Sequence, residues 1–209
     1  MEAKHVKAAR AWVYFDTGAW TFATRWLIAP YDRMYRFLHT LDSSASEVGP
    51  AVRVEIRRSH RTLHLGDGTT IRRGDRIGVL HLNNDRVVAL HATGLPPIAV
   101  GLEFRRQLLA SLHALVRLAG PEGWLSDVRA FEATTIFFPQ WLRRLGFEPD
   151  PGDLAWPGFV VTRYQRALLA SLRPAGPVRL GRATSRHAQR LWISREKLLT
   201  RYGVVASDK

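Results

Sequence analysis

One histidine near the middle of the chain has neighbours suited to acid–base chemistry. His81 lies between Leu80 and Leu82 in the segment LHLNND, so a strand here would turn its imidazole away from both leucines. Asn83 would lie on the same side as His81. A neutral imidazole can act as a general base near physiological pH. The segment predicts either a polar pocket with His81 as the base, or a histidine that is hydrogen-bonded within the sheet.

Two further polar residues follow at the end of this predicted strand. Asn84 and Asp85 occupy the kind of position from which loops often present functional groups. We predict a pocket formed by His81, Asn83 and Asn84. The alternative is that Asn84 and Asp85 only form a turn.

Histidines also raise the question of a metal site. Four of them fall in segments with strand-like patterns: His60, His64, His81 and His91. None has HxH spacing, the HxxxH spacing of His60 and His64 falls in a strand-like segment and not in a helix, and no carboxylate is placed to complete a ligand set. Cysteine is absent, which excludes thiolate metal sites and a disulfide framework. The sequence therefore predicts no metal centre.

Ser194 is a candidate nucleophile near the end of the sequence. A nucleophilic serine would be expected in a Gly-x-Ser-x-Gly elbow or beside a base, and neither occurs around it. A serine directly before a helix caps that helix instead. We predict that Ser194 caps a final helix that ends at Gly203.

Arginine dominates the charge of the chain. There are 31 Lys and Arg against 18 Asp and Glu, the net charge is +13, and all but four of the cations are arginines. The guanidinium group offers a planar fork of donors that suits phosphate and carboxylate. Such an excess attracts polyanions without specifying one, or it only covers solvated surfaces.

Adjacent arginines recur in several segments. The pairs are Arg57-Arg58, Arg72-Arg73, Arg105-Arg106 and Arg143-Arg144. We predict that Arg72, Arg73, Arg105 and Arg106 bind an anionic ligand or polyanion. A nucleic acid is one alternative, with Trp141 near one pair as a stacking platform.

Residues 1–41 are predicted to form an amphipathic helical arm. Aromatic residues recur there at three- and four-residue steps, from Trp12 to Trp26, before Pro30 interrupts the pattern. This face could contact an anionic membrane, the core or a second copy of the chain in a homodimer. No segment has the roughly 18 apolar residues that cross a bilayer. We therefore expect a cytoplasmic protein, or one peripheral to the membrane.

Residues 51–209 are predicted to form a single α+β domain. Alternating patterns predict strands in VRVEIRR, TLHL and RIGVLHL, with tight turns at DGTT and RRGD. RVVALHATG, residues 86–94, predicts a further strand. The fold class expected is a mixed, mainly antiparallel sheet flanked by helices.

Helical periodicity begins at Ala99. A stripe from Leu102 to Val116 predicts a long helix closed by Gly120. The strand VRAFEATTIF and a short helix from Pro139 follow. A later helix is predicted to begin at Thr162, and a strand precedes the final helix.

The order of elements over residues 86–150 resembles the second half of the GNAT-type N-acetyltransferase fold, including the LGF that follows the short helix. The resemblance implies an acyltransferase that uses acyl-CoA, with His81 or Glu103 as base. Members of that family hold the diphosphate in a glycine-spaced loop at a helix N-terminus. The corresponding stretch here, LPPIAVGLEF, has only Gly101 and two prolines without N–H donors.

A second resemblance covers most of the chain. Five segments are similar in order and spacing to those of the YkoP-like family of bacteria. They are VRVEIRR, DGTTIRRGD, LHLNN, FFPQWLRRLGF and LWISREKLLTRYG. Members occur alone or attached to polysaccharide deacetylases. The resemblance implies a setting at the cell envelope or in sporulation, and it assigns no catalytic residue.

Three functions follow from these patterns. The first is a non-catalytic or accessory domain that binds an anionic partner near the envelope and needs no cofactor. The second is a divergent acyltransferase that uses acyl-CoA. The third is a nucleic-acid-binding protein.

Overall fold

The computed structural model of the protein describes residues 47–137, 139–150, 152, 162 and 184–203. The predicted arm over residues 1–41 lies outside them, as does its suggested contact with a membrane or a second copy. The predicted helix from Thr162 also lies outside them, apart from Thr162 itself. The hydroxyl of Thr162 accepts a hydrogen bond from the Ala188 N–H at 2.8 Å.

The described residues contain both strands and helices, which confirms the predicted α+β class. In chain order they are β1 (Val52–Arg58), β2 (Leu63–His64), β3 (Thr70–Ile71), β4 (Arg76–Leu82), α1 (Asn84–Ala92), α2 (Pro97–Ala119), β5 (Ala130–Phe137), α3 (Pro139–Arg144), β6 (Glu148–Pro149), β7 (Thr184–Ser194) and α4 (Arg195–Tyr202).

Five of the strands form one sheet in the order β1-β4-β5-β7-β6. Only β4 and β5 are parallel, while the other neighbouring pairs are antiparallel. A mixed, mainly antiparallel sheet is therefore confirmed. Parallel neighbours cannot be joined by a hairpin, and the connection from β4 to β5 runs through α1 and α2.

The strand predicted over residues 86–94 is wrong, because these residues lie mainly in α1. The valine pair at its centre suits a strand locally. However, Asn83 occupies the N-cap position, and the carboxylate of Asp85 lies in the first turn, where it interacts favourably with the helix dipole. Leu90 is buried, so the helix packs its apolar side inward.

The main core lies between one face of the sheet and α2. Val52 and Val54 of β1 share this face, as their alternation predicts, and pack in one cluster with Leu112 and Leu115 of α2. The predicted long helix and its end at Gly120 are confirmed, although the first leucine of its apolar stripe is not buried. Leu102 is 61% exposed, because it lies on the first turns of α2, ahead of the turns that pack on the sheet.

A hairpin of β2 and β3 covers part of the opposite face. It forms a second buried cluster made of Leu63, Leu65, Ile71, Ile77, Ala130 and Trp192. The predicted turns beside it are confirmed. Gly68 and Gly74 have φ angles of 85° and 95°, which glycine adopts more readily than other residues.

Candidate functional site

The face of the sheet opposite α2 carries charged side chains beyond the area that the hairpin covers. We call this surface the polar face. Its residues alternate with the core residues of β1, β4, β5 and β7, and are Arg53, Glu55, Arg57, His81, Glu132, Thr134 and Arg190.

On β1 and β4, Glu55 connects a histidine to an arginine. Its Oε2 lies 3.0 Å from His81 Nε2. Its two oxygens also accept hydrogen bonds from Arg57 Nε at 2.6 Å and from Arg57 Nη2 at 2.8 Å. The side chains of Glu55 and His81 are only 11% and 22% exposed, so this cluster is screened from bulk water more than a surface ion pair.

On β5 and β7, Arg190 lies between two carboxylates. Its Nε is 3.1 Å from Glu132 Oε1, and its Nη1 is 3.6 Å from Asp150 Oδ2. Asp150 is almost completely buried, and it also binds Arg61 and accepts a hydrogen bond from Trp192 Nε1 at 3.1 Å. Although Nε of Arg190 is buried and close to a carboxylate, it is not aligned for a hydrogen bond with any described residue.

The two halves of the polar face meet where β4 and β5 separate. Pairing of these parallel strands runs from Ile77 opposite Ala130 to Leu80 opposite Ala133. Both strands then continue, β4 as far as Leu82 and β5 through four more residues. The backbones therefore part on the C-terminal side of the shared ladder.

Four polar residues form a row across this point. His81 and Thr134 are the next residues after the last paired positions of β4 and β5. Arg53 stands opposite His81 on β1, and Arg190 stands opposite Thr134 on β7. The row thus places an arginine outside each of the two strands that separate. Thr134 Oγ1 also donates to the carboxylate of Glu132 at 3.3 Å.

The predicted asparagines lie next to His81 in sequence but belong to the start of α1. Asn83 is buried in the N-cap position, and its N–H donates to Ala51 O at 2.9 Å. Its Oδ1 is buried and has no hydrogen-bond partner among the described residues. Asn84 is the first residue of α1. The segment therefore begins a helix and does not end in a turn.

Glu103, the second predicted base, lies on the other side of the sheet from His81, because α2 packs against the opposite face. Hydrogen bonds from Arg106, and then from Gln107, lower the pKa of Glu103 to about 2. A carboxylate with so low a pKa is a weak base at neutral pH. The structure does not bring the two predicted bases together.

The predicted anion-binding arginines lie in two separate places. They are Arg72 with Arg73, and Arg105 with Arg106, all exposed. The first pair immediately precedes the beginning of β4. The second lies on α2 ahead of Ser111, whose Oγ accepts a hydrogen bond from Ala51 N at 3.0 Å beside the start of β1. Because β1 and β4 are antiparallel, the two pairs lie toward opposite ends of the sheet.

The arginines that converge on and beside the polar face are Arg53, Arg57, Arg61 and Arg190. None of these four is among the arginines predicted above to bind an anion. The strand sequences do indicate such residues. In VRVEIRR, charged residues occupy every second position, and the residues between them are apolar. Charges at alternate positions of several strands would have indicated one charged sheet face.

Ser194 is confirmed as a helix cap. Its Oγ accepts a hydrogen bond from Lys197 N at 2.9 Å, and it donates to the carboxylate of Asp67. Burial of the Asp67 carboxylate raises its pKa. Hydrogen bonds from Ser194 and Thr69 together lower that pKa by more than burial raises it, so the pKa of Asp67 lies below its ordinary value. Gly203 ends α4 as predicted.

Two other features lie apart from the polar face. An open depression beside the Ser194 cap is lined by Asp67, Gly68, Thr69, Arg129, Glu196, Lys197, Thr200 and Arg201. Within the described residues there is no group of three or more His, Asp or Glu arranged to hold a metal ion. In the same part of the chain, no helix is long and apolar enough to cross a bilayer.

The YkoP domain family matches residues 21–202. The chain belongs to this family. The match begins within the predicted arm and includes the whole five-stranded sheet, so every residue of the polar face lies inside this YkoP domain. Comparison with curated proteins and with solved structures found no match.

Proposed function

We propose that this YkoP domain binds an anionic ligand on its polar face and acts as a non-catalytic or accessory domain near the cell envelope. One observation carries the proposal. Arg53 and Arg190 lie on either side of His81 and Thr134, in one row across the point where β4 and β5 separate. Guanidinium groups bind carboxylate and phosphate groups through paired, charge-assisted hydrogen bonds.

The carboxylates of the polar face support this role by holding the arginines in place. Glu55 binds Arg57 through two hydrogen bonds, and Glu132 and Asp150 flank Arg190. An arginine whose side chain is already ordered loses less conformational entropy when a ligand binds.

The start of α2 is poorly suited to hold the diphosphate of coenzyme A, which favours an anion-binding domain over an acyltransferase. Pro96 occupies the N-cap position and Pro97 is the first residue of the helix, and neither has an N–H donor. A diphosphate at a helix N-terminus depends on free backbone N–H groups. Leu95 and Ile98 on either side are exposed and apolar, which does not favour a charged ligand there.

A divergent acyltransferase is the second candidate. The contact between His81 and Glu55 favours it, because a carboxylate that orients an imidazole is a common arrangement for a general base. Acetyl-CoA distinguishes the candidates, since an acyltransferase should bind it even where phosphate and glucuronate do not bind.

The proposal is tested by titrating the full chain with inorganic phosphate, glucuronate and acetyl-CoA in a calorimeter. We expect phosphate or glucuronate to bind, and Arg190→Gln to weaken binding roughly 10- to 100-fold, the loss of one hydrogen bond to a charged group. Arg73→Gln is the matched control, because it removes the same charge from an exposed turn. Binding should be unchanged in that variant.

Two results would overturn the proposal. The first is an equal loss of affinity in Arg190→Gln and Arg73→Gln, which would mean that the anion senses only overall charge. The second is heat of binding from acetyl-CoA but from neither small anion. Tight binding of DNA that weakens steeply with salt would support the nucleic-acid alternative instead.

A further inference from the structure

Exposed apolar side chains concentrate at one corner of the protein. Leu95, Ile98 and Leu102 are 46%, 80% and 61% exposed, and they fall within eight residues of sequence. Among the described residues, Trp124 is the other large apolar side chain with comparable exposure. We call Leu95, Ile98 and Leu102 the apolar corner.

The three side chains lie where α1 joins α2. Leu95 lies in the connection between the two helices, directly after Gly94, whose φ is 70°. Ile98 and Leu102 are four residues apart on α2 and so lie on the same side of the helix. The later leucines of α2 pack on the sheet, whereas the apolar side chains of its first two turns are exposed to solvent.

Positive charge lies beside the apolar corner. Arg105 and Arg106 are exposed on the next turn of α2. From Leu95 through Arg106, Glu103 is the only acidic residue, and it is paired with Arg106. Long arginine side chains can extend their charged ends beside an apolar contact.

We propose that the apolar corner docks on an anionic lipid surface. Leu95, Ile98 and Leu102 would enter the boundary between headgroups and acyl chains, and Arg105 and Arg106 would contact lipid phosphates. Apolar side chains bordered by arginines are the pattern of segments that lie in a membrane interface. This proposal is independent of the ligand that binds the polar face.

The charge and size of the patch favour lipid over a second copy of the chain. Another copy carries the same net charge of +13, so two such corners would repel each other. A stable dimer also buries about 800 Å² on each partner. Three partly exposed side chains offer a much smaller apolar area.

Sedimentation of the full chain with lipid vesicles tests the proposal. The vesicles contain phosphatidylcholine alone, or equal parts of phosphatidylcholine and phosphatidylglycerol. We expect binding to the anionic vesicles, and a loss of roughly tenfold or more in the double variant Ile98→Asp with Leu102→Asp. Trp124→Asp is the control for an aspartate at an exposed apolar position elsewhere, and the single variant Ile98→Asp is its charge-matched partner.

The arginines give a second, smaller effect. Arg105→Gln should weaken binding to anionic vesicles about fivefold, the contribution of one cation near a charged membrane surface. Arg73→Gln should change it less, because this side chain lies toward the other end of the sheet. Thermal unfolding of each variant checks that the fold is retained.

Three outcomes would overturn the proposal. One is binding of the Ile98→Asp and Leu102→Asp variant as tightly as the original chain, which would place the lipid contact elsewhere. Another is absence of binding to anionic vesicles. The third is a dimer in solution that this double variant converts to a monomer, which would assign the apolar corner to a second copy.

Discussion

Replacing Ser194 by alanine removes two hydrogen bonds at the point where β7 ends and α4 begins. The Ser194 Oγ accepts a hydrogen bond from Lys197 N at 2.9 Å and donates one to the carboxylate of Asp67. The first bond caps α4, and the second ties the turn between β2 and β3 to that helix. Ser194 is completely buried, so water does not replace either bond easily.

The size of the effect follows from these two bonds. Loss of a serine N-cap costs about 1 kcal/mol, within a range of roughly 0.5–2 kcal/mol. A hydrogen bond to a charged group contributes roughly 1.5–3 kcal/mol, and the lower end applies because Asp67 is exposed. We expect Ser194→Ala to lower the free energy of unfolding by about 2–3 kcal/mol.

Urea unfolding followed by circular dichroism measures the loss. A cycle of Ser194→Ala, Asp67→Asn and the double variant separates the two bonds, and we expect a coupling energy of about 1 kcal/mol between Ser194 and Asp67. Thr200→Ala is the control, since Thr200 is exposed on the same helix. It should change stability by less than about 0.5 kcal/mol.

The pH dependence provides an independent check. Burial raises the pKa of Asp67, but the hydrogen bonds from Ser194 and Thr69 outweigh it, so the folded-state pKa lies below the ordinary value of 3.8. The stabilisation is present above pH 3.8 and is lost as the pH falls through the folded-state pKa. Ser194→Ala should therefore show a smaller loss of stability in acid.

Two results would refute this reasoning. If the effects of Ser194→Ala and Asp67→Asn simply add, the two residues do not stabilise each other. If the original chain and Ser194→Ala lose stability in parallel below pH 3.8, Ser194 does not hold the pKa of Asp67 down.

Two further predictions concern packing and a buried phenol. Gly78→Ala would place a methyl carbon 2.5 Å from a ring carbon of Phe131, and we expect a loss of about 1–3 kcal/mol in urea unfolding. An unchanged midpoint would show that the ring can move aside. Tyr202→Phe removes a hydrogen bond of 2.8 Å to Leu145 O and should cost about 1 kcal/mol. Burial raises the pKa of Tyr202 above its ordinary 10.0, so the folded state retains the proton and the original chain loses stability as the pH rises through that range. Equal stability profiles of Tyr202→Phe and the original chain in alkali would contradict this.

Local chemistry explains which elements could be predicted from the sequence. The alternation around Val54 and the turn at Gly74 depend on nearby residues, and the Ser194 cap depends on a helix that follows directly. The helix α1 could not be predicted in this way. Its valines suit a strand, but the parallel neighbours β4 and β5 require a crossover, which is a long-range property.

The candidate site was harder to predict, for a geometric reason. The prediction grouped arginines that are adjacent in sequence, but adjacent residues of a strand point to opposite faces of the sheet. Arg57 lies on the polar face, whereas its neighbour Arg58 binds the carbonyl of Gly74. Arg53 and Arg190 stand at the two ends of one row because β4 and β5 lie between their strands, an order that sequence spacing does not reveal.

The position of β7 determines how the domain can be completed during synthesis. β7 lies between β5 and β6, although it is the last strand of the sheet to be made. Until residues 184–194 leave the ribosome, β5 has no neighbour on that side within the described sheet. Exposed strand edges of this kind readily join other chains. A nascent chain halted before β7 should therefore be prone to aggregation and should depend on chaperones.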